Sequence, residues 1–193
     1  QAYGVIVGGT VGLGRIKDID ADPVLKLPGV IAVISHLNAP RLPYGGHKSM
    51  IDPGEGERLR VLQDDQVRFH GQPVAVVVAD TLDQAERGAM ALRVEYDAAR
   101  PLLDPGDSQL KKVVPRENAD QSRGATDAAL PKDAVGIEAD YVIARENHTP
   151  IELHATLAAW DGDKLTLWSK SQFVVNERAE VAAIFGIPPE NVQ

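Results

Sequence analysis

The stretch from Asn147 to Gln172 carries the side chains of most chemical interest in this chain: His148, Glu152, His154 and Gln172. His148 and His154 lie six apart, so on a strand they would share one face. A zinc site needs three or four ligands, and no third stands at usable spacing. Scattered structural or surface histidines are the simpler reading, and His36, His47 and His70 offer even less. Glu152, in Pro-Ile-Glu-Leu-His, is a carboxylate that backbone donors near a domain interface would satisfy, or that could orient a neighbouring histidine. Gln172, taken alone, reads as a strand-end glutamine bonding to backbone. The glycines Gly8, Gly9, Gly12 and Gly14 do not follow the Gly-x-Gly-x-x-Gly order. Strand-like Arg15 to Ile19 follows them where a helix should stand, so no phosphate cradle is expected. There is no Gly-x-Ser-x-Gly, no P-loop and no cysteine nucleophile. No complete catalytic set, and no metal site, lies within these residues.

The elements that must position them follow from pattern. Ala2 to Gly9 and Val11 to Ile19 read as short strands, Ala21 to Leu27 as a short helix ended by Pro28-Gly29, and Gly29 to Ile34 as a β-branched strand. Asn38 to Glu57 holds many Pro and Gly residues and reads as a long surface loop. Gly71-Gln72-Pro73 turns into Val74 to Ala79, an apolar run suited to a strand buried on both faces. Thr81 to Val94 reads as a helix. Thr81 and Gln84 have capping-box spacing, and Ala85, Ala89 and Leu92 form a small-residue face. Arg93 to Tyr96 continues toward Pro101-Leu102-Leu103 as a strand. Asp104 to Ala134 is polar and poor in large apolar residues, as a linker should be. Beyond it, Val135 to Ala144 alternates like a strand. Ala155 to Trp160 and Lys164 to Ser169 form a hairpin around Asp161-Gly162, with Trp160 and Trp168 as core or interface aromatics. Asn176 to Phe185 reads as an amphipathic helix stopped by Gly186 and Pro188.

Composition bounds the function. The 193 residues are 44% hydrophobic and 25% charged, ordinary for a globular chain able to bury its own core. Twenty basic against twenty-eight acidic side chains give a net charge of −8, and no basic patch offers a grip on nucleic acid. The longest apolar run is far too short to span a bilayer. Gln1 opens directly on strand-like sequence without a signal-peptide pattern, as in an excised or processed chain. With no cysteines, disulfides and iron–sulfur clusters are excluded within this segment.

The run from Val67 to Leu103, with Gly-Gln-Pro-Val-Ala-Val-Val-Val-Ala, an Ala-rich helix, Val-Glu-Tyr-Asp and Pro-Leu-Leu, resembles the α/β hammerhead domain of the xanthine dehydrogenase and aldehyde oxidase family. Asn147 to Gln172, with His-x-x-x-Glu, Trp-Asp-Gly on a hairpin and a closing Ser-Gln, resembles the opening of that family's molybdenum-cofactor domain, which follows the hammerhead. The resemblance implies an α+β fold: hammerhead over residues 1–104, linker over 105–134, and a truncated N-terminal part of the cofactor domain over 135–193. It implies a fragment of a molybdenum-dependent hydroxylase, which oxidises aldehydes or N-heterocycles with water as oxygen source. The chain stops before the family's Gly-Gly-x-Phe-Gly loop. The general base lies further downstream in the family, so the segment alone is expected to be inactive. Gln172 matches the glutamine that approaches an oxygen ligand of molybdenum, where a neutral amide donates without adding charge. Glu152 matches the Met-Glu-Pro type segment, from which Ile-Glu-Leu departs, and is expected to orient the cofactor loop. The implied cofactor is a molybdenum–pterin group. The implied partners are the rest of the molybdenum domain, iron–sulfur and FAD subunits or domains, and a small-molecule substrate, with no nucleic acid. The cytoplasm is the expected compartment, or the periplasm by way of a partner's signal. The other class of function this sequence admits is a non-catalytic α+β interaction module sharing the fold.

Overall fold

The computed structural model of the chain describes residues 1–44, 59–111, 123, 133–144 and 146–193. These residues form an α+β architecture that divides into two compact units. Most of the expected linker lies outside the described residues, as do His47 and the greater part of the expected loop at 38–57. Residues 38–44 carry no helix or strand. Among the described residues no helix is long and apolar enough to cross a membrane.

The first unit is built on β1 (Tyr3–Gly8), β2 (Gly14–Asp20), α1 (Asp22–Leu25), β3 (Val30–Ser35), β4 (Gln66–Val67), β5 (Pro73–Ala79), α2 (Leu82–Ala91) and β6 (Arg93–Ala98). One antiparallel sheet has the order β1-β5-β3, and a second has β4-β2-β6. The apolar run of β5 is central because it can bury side chains on both faces: Val74, Ala75, Val77 and Ala79 are all buried. Pro73, which has no N–H to give, opens the strand where a missing donor costs least. Val74, Ala75 and Val77 share one core with Ile16, Ile19, Val24, Val33, Val67 and Leu92, so both sheets and α1 close on the same cluster. Ile16 and Ile19 both reach it although three residues apart. A register shift between Ile16 and Asp18 inserts an extra residue and restores the inward face.

Helix α2 packs on β1 and β5. Thr81 Oγ1 accepts from the Gln84 N–H at 3.3 Å, the expected cap. The reciprocal half of the capping box is not made, and Gln84 Oε1 is buried without a hydrogen-bond partner. The Gln84 side chain lies instead over Gly29, where a Cβ would collide with it. The helix ends at Ala91 rather than at Val94. Leu92 is extended (φ −67°, ψ 123°), and from Arg93 the backbone pairs with β2, so that Val94 faces Ile19 and Tyr96 faces Ile16. Strand pairing overrides helical periodicity there. Strand β6 likewise stops at Ala98, opposite Gly14 at the start of β2, and does not reach Leu103. Helix α1 is shorter than the expected 21–27.

Gln72 is a buried polar residue whose side chain is bonded at both its oxygen and its nitrogen. Its Oε1 accepts from the Arg68 N–H at 2.8 Å, and its Nε2 donates to the Gln66 carbonyl at 2.7 Å. The Gly9 N–H donates to the Gln72 carbonyl, and the Gly71 N–H to the Gly9 carbonyl, both at 2.8 Å. Gly9 therefore spends its backbone groups on this turn.

Beside the turn, Arg68 donates to both carboxylate oxygens of Asp64, at 3.0 and 3.3 Å. These bonds hold the Asp64 carboxyl below the usual carboxylate range, with partial burial opposing and the Gln66 N–H adding to the effect. A depressed folded-state pKa contributes stability that is complete above the unfolded value of about 3.9 and is lost as pH falls through the folded value. The pair is partly exposed, so the contribution is below about 1 kcal/mol. Asp64→Asn should accordingly flatten the acid limb of stability. Urea melts in steps from about pH 5 to about pH 3 test this, and parallel limbs for variant and wild type would remove the assignment.

The second unit contains β7 (Thr156–Asp161), β8 (Lys164–Ser169) and most of α3 (Val174–Phe185). The hairpin turns on Gly162-Asp163, one residue later than expected, with Gly162 at φ 61° where a side chain would be strained. Helix α3 starts two residues before the expected Asn176. It is not clearly amphipathic: Val174 and Val175 are exposed, and Ala182 is its buried residue. Gly186 takes positive φ after the helix, as expected. A 3₁₀ turn at Pro189–Asn191 then leads Val192 alongside β8 in parallel. Leu167 N–H donates to the Gln193 carbonyl at 2.7 Å, and Gln193 N–H to the Leu165 carbonyl at 2.9 Å. Leu165, Ala182 and Val192 are the buried apolar residues of this unit among the described residues. The strand expected at 135–144 does not form. Val135, Ile137, Tyr141, Val142 and Ile143 are each at least 86% exposed, and no neighbouring strand among the described residues takes up their backbone groups. Alternation without a partner does not make a strand.

Candidate functional site

Strand β8 ends at Ser169, and α3 begins at Val174. Between them four residues bend the chain, and local hydroxyls organise the bend. Thr156 and Ser169, paired at the open end of the hairpin, bring their hydroxyls to 3.1 Å. Ser169 Oγ also lies 3.3 Å from the Lys170 carbonyl, to which it can donate. Ser171 Oγ accepts the Phe173 N–H at 3.2 Å, and the Phe173 carbonyl accepts from Glu177 at 3.0 Å, starting the helix. Gln172 sits at the apex of this bend, three residues beyond the strand end where it was expected. It is exposed, and its amide makes no side-chain hydrogen bond among the described residues. Among the described residues no backbone group bonds to the Gln172 side chain.

Glu152 lies in a segment, 147–155, without helix or strand. Its Oε1 meets Lys170 Nζ at 2.9 Å, which brings Glu152 to the residue two before Gln172. Lys170 was not singled out in the sequence. The usable signal was the hairpin register: once Thr156 faces Ser169, the chain just before one strand returns beside the chain just after the other. His148 and His154 share no strand face, because no strand forms there and Thr149 takes φ 43°. Trp160 and Trp168 are 50% and 58% exposed, so they are not core residues of this unit.

Chemically, the bend presents a neutral, uncommitted amide beside a charge-balanced ion pair. Among the described residues no group of three His, Cys, Asp or Glu could hold a metal ion. The arrangement can therefore contact a bound group through Gln172, but it supplies no ligand set for a metal. A molybdenum–pterin group is compatible with such a contact through the Gln172 amide.

Residues 1–100 match the family model described as aldehyde oxidase and xanthine dehydrogenase, a/b hammerhead domain. Residues 110–193 match the molybdopterin cofactor-binding domain. The aldehyde oxidoreductase molybdenum-binding subunit PaoC of Escherichia coli (strain K12) is 34% identical over 193 residues, all of this chain and 25% of that protein. The carbon monoxide dehydrogenase large chain of Hydrogenophaga pseudoflava is 29% identical over 213 residues, covering 97% of this chain and 26% of that one. Among solved structures, quinoline 2-oxidoreductase from Pseudomonas putida 86 shares the fold, with a TM-score of 0.58 and 19% identity over 99% of this chain and 26% of its own. The chain spans about a quarter of the length of each of these two curated relatives.

Proposed function

This chain belongs to the aldehyde oxidase and xanthine dehydrogenase family, and on that premise we propose that it forms one part of a molybdenum hydroxylase. The substrate class is an aldehyde or an N-heterocycle, with water as the source of the oxygen added. An aldehyde comes first, because the relative at 34% identity is named an aldehyde oxidoreductase subunit. Residues 1–104 serve as the hammerhead and 135–193 as the opening of the cofactor domain, joined through 105–134. The observation that carries the reading is the exposed, uncommitted amide of Gln172 on a hydroxyl-organised bend inside the segment matching the cofactor domain.

When bound, the molybdenum–pterin group supplies the two-electron oxidation and the transfer of oxygen from water to the substrate carbon. This chain's residues orient that group. Gln172 donates an amide hydrogen bond to an acceptor on it without adding charge, and Glu152 holds the neighbouring bend. No residue here is assigned as general base, and the segment alone is inactive. The two electrons leave through iron–sulfur and flavin centres on partner subunits or domains, since the chain has no cysteine to bind a cluster. The cytoplasm is the proposed compartment, or the periplasm with a partner carrying the signal.

The test is molybdenum content, with aldehyde and hypoxanthine oxidation, in the full-length parent complex. Bound metal with turnover supports the reading; the absence of both would replace it with the non-catalytic interaction module.

A further inference from the structure

One ion pair joins two segments that have no secondary structure of their own. Residues 147–155 are exposed coil, and 170–173 form the bend between β8 and α3. Lys170 Nζ and Glu152 Oε1 connect them at 2.9 Å. The bend is fixed on its other side by the Ser171 hydroxyl, which holds the Phe173 N–H. Gln172 thus stands between a tethered residue and a hydrogen-bonded one.

We propose that Lys170 is a positioning residue for Gln172: its ammonium, paired with Glu152, sets the direction in which the bend presents the Gln172 amide. This rests on the assignment of Gln172 to the molybdenum–pterin group. Both partners keep water contact, with side chains 38% and 63% exposed, so the pair adds little to fold stability. Its value is in direction and in charge balance. Without Lys170, the Glu152 carboxylate is left as an unpaired acceptor close to the bend. It would then compete for the Gln172 amide N–H and turn the amide away from its target. Part of the defect should therefore come from the free carboxylate, and removing the carboxylate too should relieve that part.

The experiment uses the full-length holoprotein and compares Lys170→Met, Lys170→Met with Glu152→Gln, Gln172→Ala, and Lys170→Met with Gln172→Ala. Each is measured for molybdenum content, melting temperature, the electron paramagnetic resonance spectrum of the half-reduced metal, and kcat with KM. Lys170→Met is expected to keep its metal and melting temperature, to lose about tenfold in kcat, and to shift the spectrum toward that of Gln172→Ala. Adding Glu152→Gln restores part of both, and adding Lys170→Met to Gln172→Ala makes nothing worse. A Lys170→Met protein with wild-type spectrum and kcat, beside an impaired Gln172→Ala, overturns the positioning role and leaves the Gln172 assignment standing. Lost metal or a lowered melting temperature in Lys170→Met also overturns it, in favour of a structural role. Wild-type behaviour in Gln172→Ala removes the assignment itself, and the proposal with it.

Discussion

Replacing Gln172 by alanine in the full-length holoprotein is expected to cut turnover by about ten- to a hundredfold, with bound molybdenum retained. That range corresponds to about 1.4 to 2.7 kcal/mol of barrier, the scale of one oriented hydrogen bond lost next to a reacting centre. The expectation rests on the exposed Gln172 side chain, whose amide has no competing hydrogen bond among the described residues. Truncating it breaks no side-chain hydrogen bond among the described residues, so the loss should appear in kcat. Gln172→Glu is the sharper variant. It keeps size and shape but replaces the N–H donor with a second acceptor and a negative charge, so it should be at least as impaired as alanine. Steady-state kinetics normalised to metal content decide the matter. Full activity in Gln172→Ala would end the assignment of this residue while leaving the family membership untouched.

Gly88→Leu should be the most damaging change in the first unit. A Cβ at Gly88 would stand 2.8 Å from Val77 Cγ1, 3.4 Å from Val24 Cγ1 and 3.5 Å from Val30 Cγ2. Val77 and Val24 are wholly buried and have nowhere to retreat. Leucine adds three further carbons to that contact and forces α2 off β5. Overpacking of this kind costs about 3 kcal/mol. The better helix propensity of leucine returns less than about 1 kcal/mol. Hydrogen exchange read on the β5 peptide should show protection falling sharply, while Met90→Leu, two residues on at the opposite face of the helix and 88% exposed, leaves it unchanged. Equal protection in Gly88→Leu would mean that the helix does not depend on that close approach.

The difference between what the sequence revealed and what it hid follows the range of the interactions involved. Strand β5 was readable because its apolar run has one sensible environment, a position covered on both faces. The start of α2 was readable because Thr81 caps locally. The end of α2 was not, because Ala85, Ala89 and Leu92 satisfy a helical period while Leu92, Val94 and Tyr96 satisfy strand alternation. Pairing with β2, more than seventy positions earlier in the chain, decides between them. Residues 135–144 failed in the opposite sense: the alternation was present, but no strand among the described residues lies beside it. At the site, Gln172 was singled out through a family resemblance, since nothing in its chemistry alone distinguishes it from any strand-end glutamine. Lys170 stayed hidden because its meaning lies in a carboxylate on a different segment, brought near only by the hairpin.

The parallel bridge between Leu165 and Val192 also orders events during synthesis. The β7–β8 hairpin closes over a two-residue turn, and such local contacts form within about 1 to 10 μs. Pairing Val192 with β8 must wait until the chain through α3 and the 3₁₀ turn has been made, because both lie between the two partners. On a ribosome adding residues at about 5 to 20 per second, the hairpin is finished long before Val192 emerges. Until then Leu165 has no partner strand on that side, and this edge of β8 stays open.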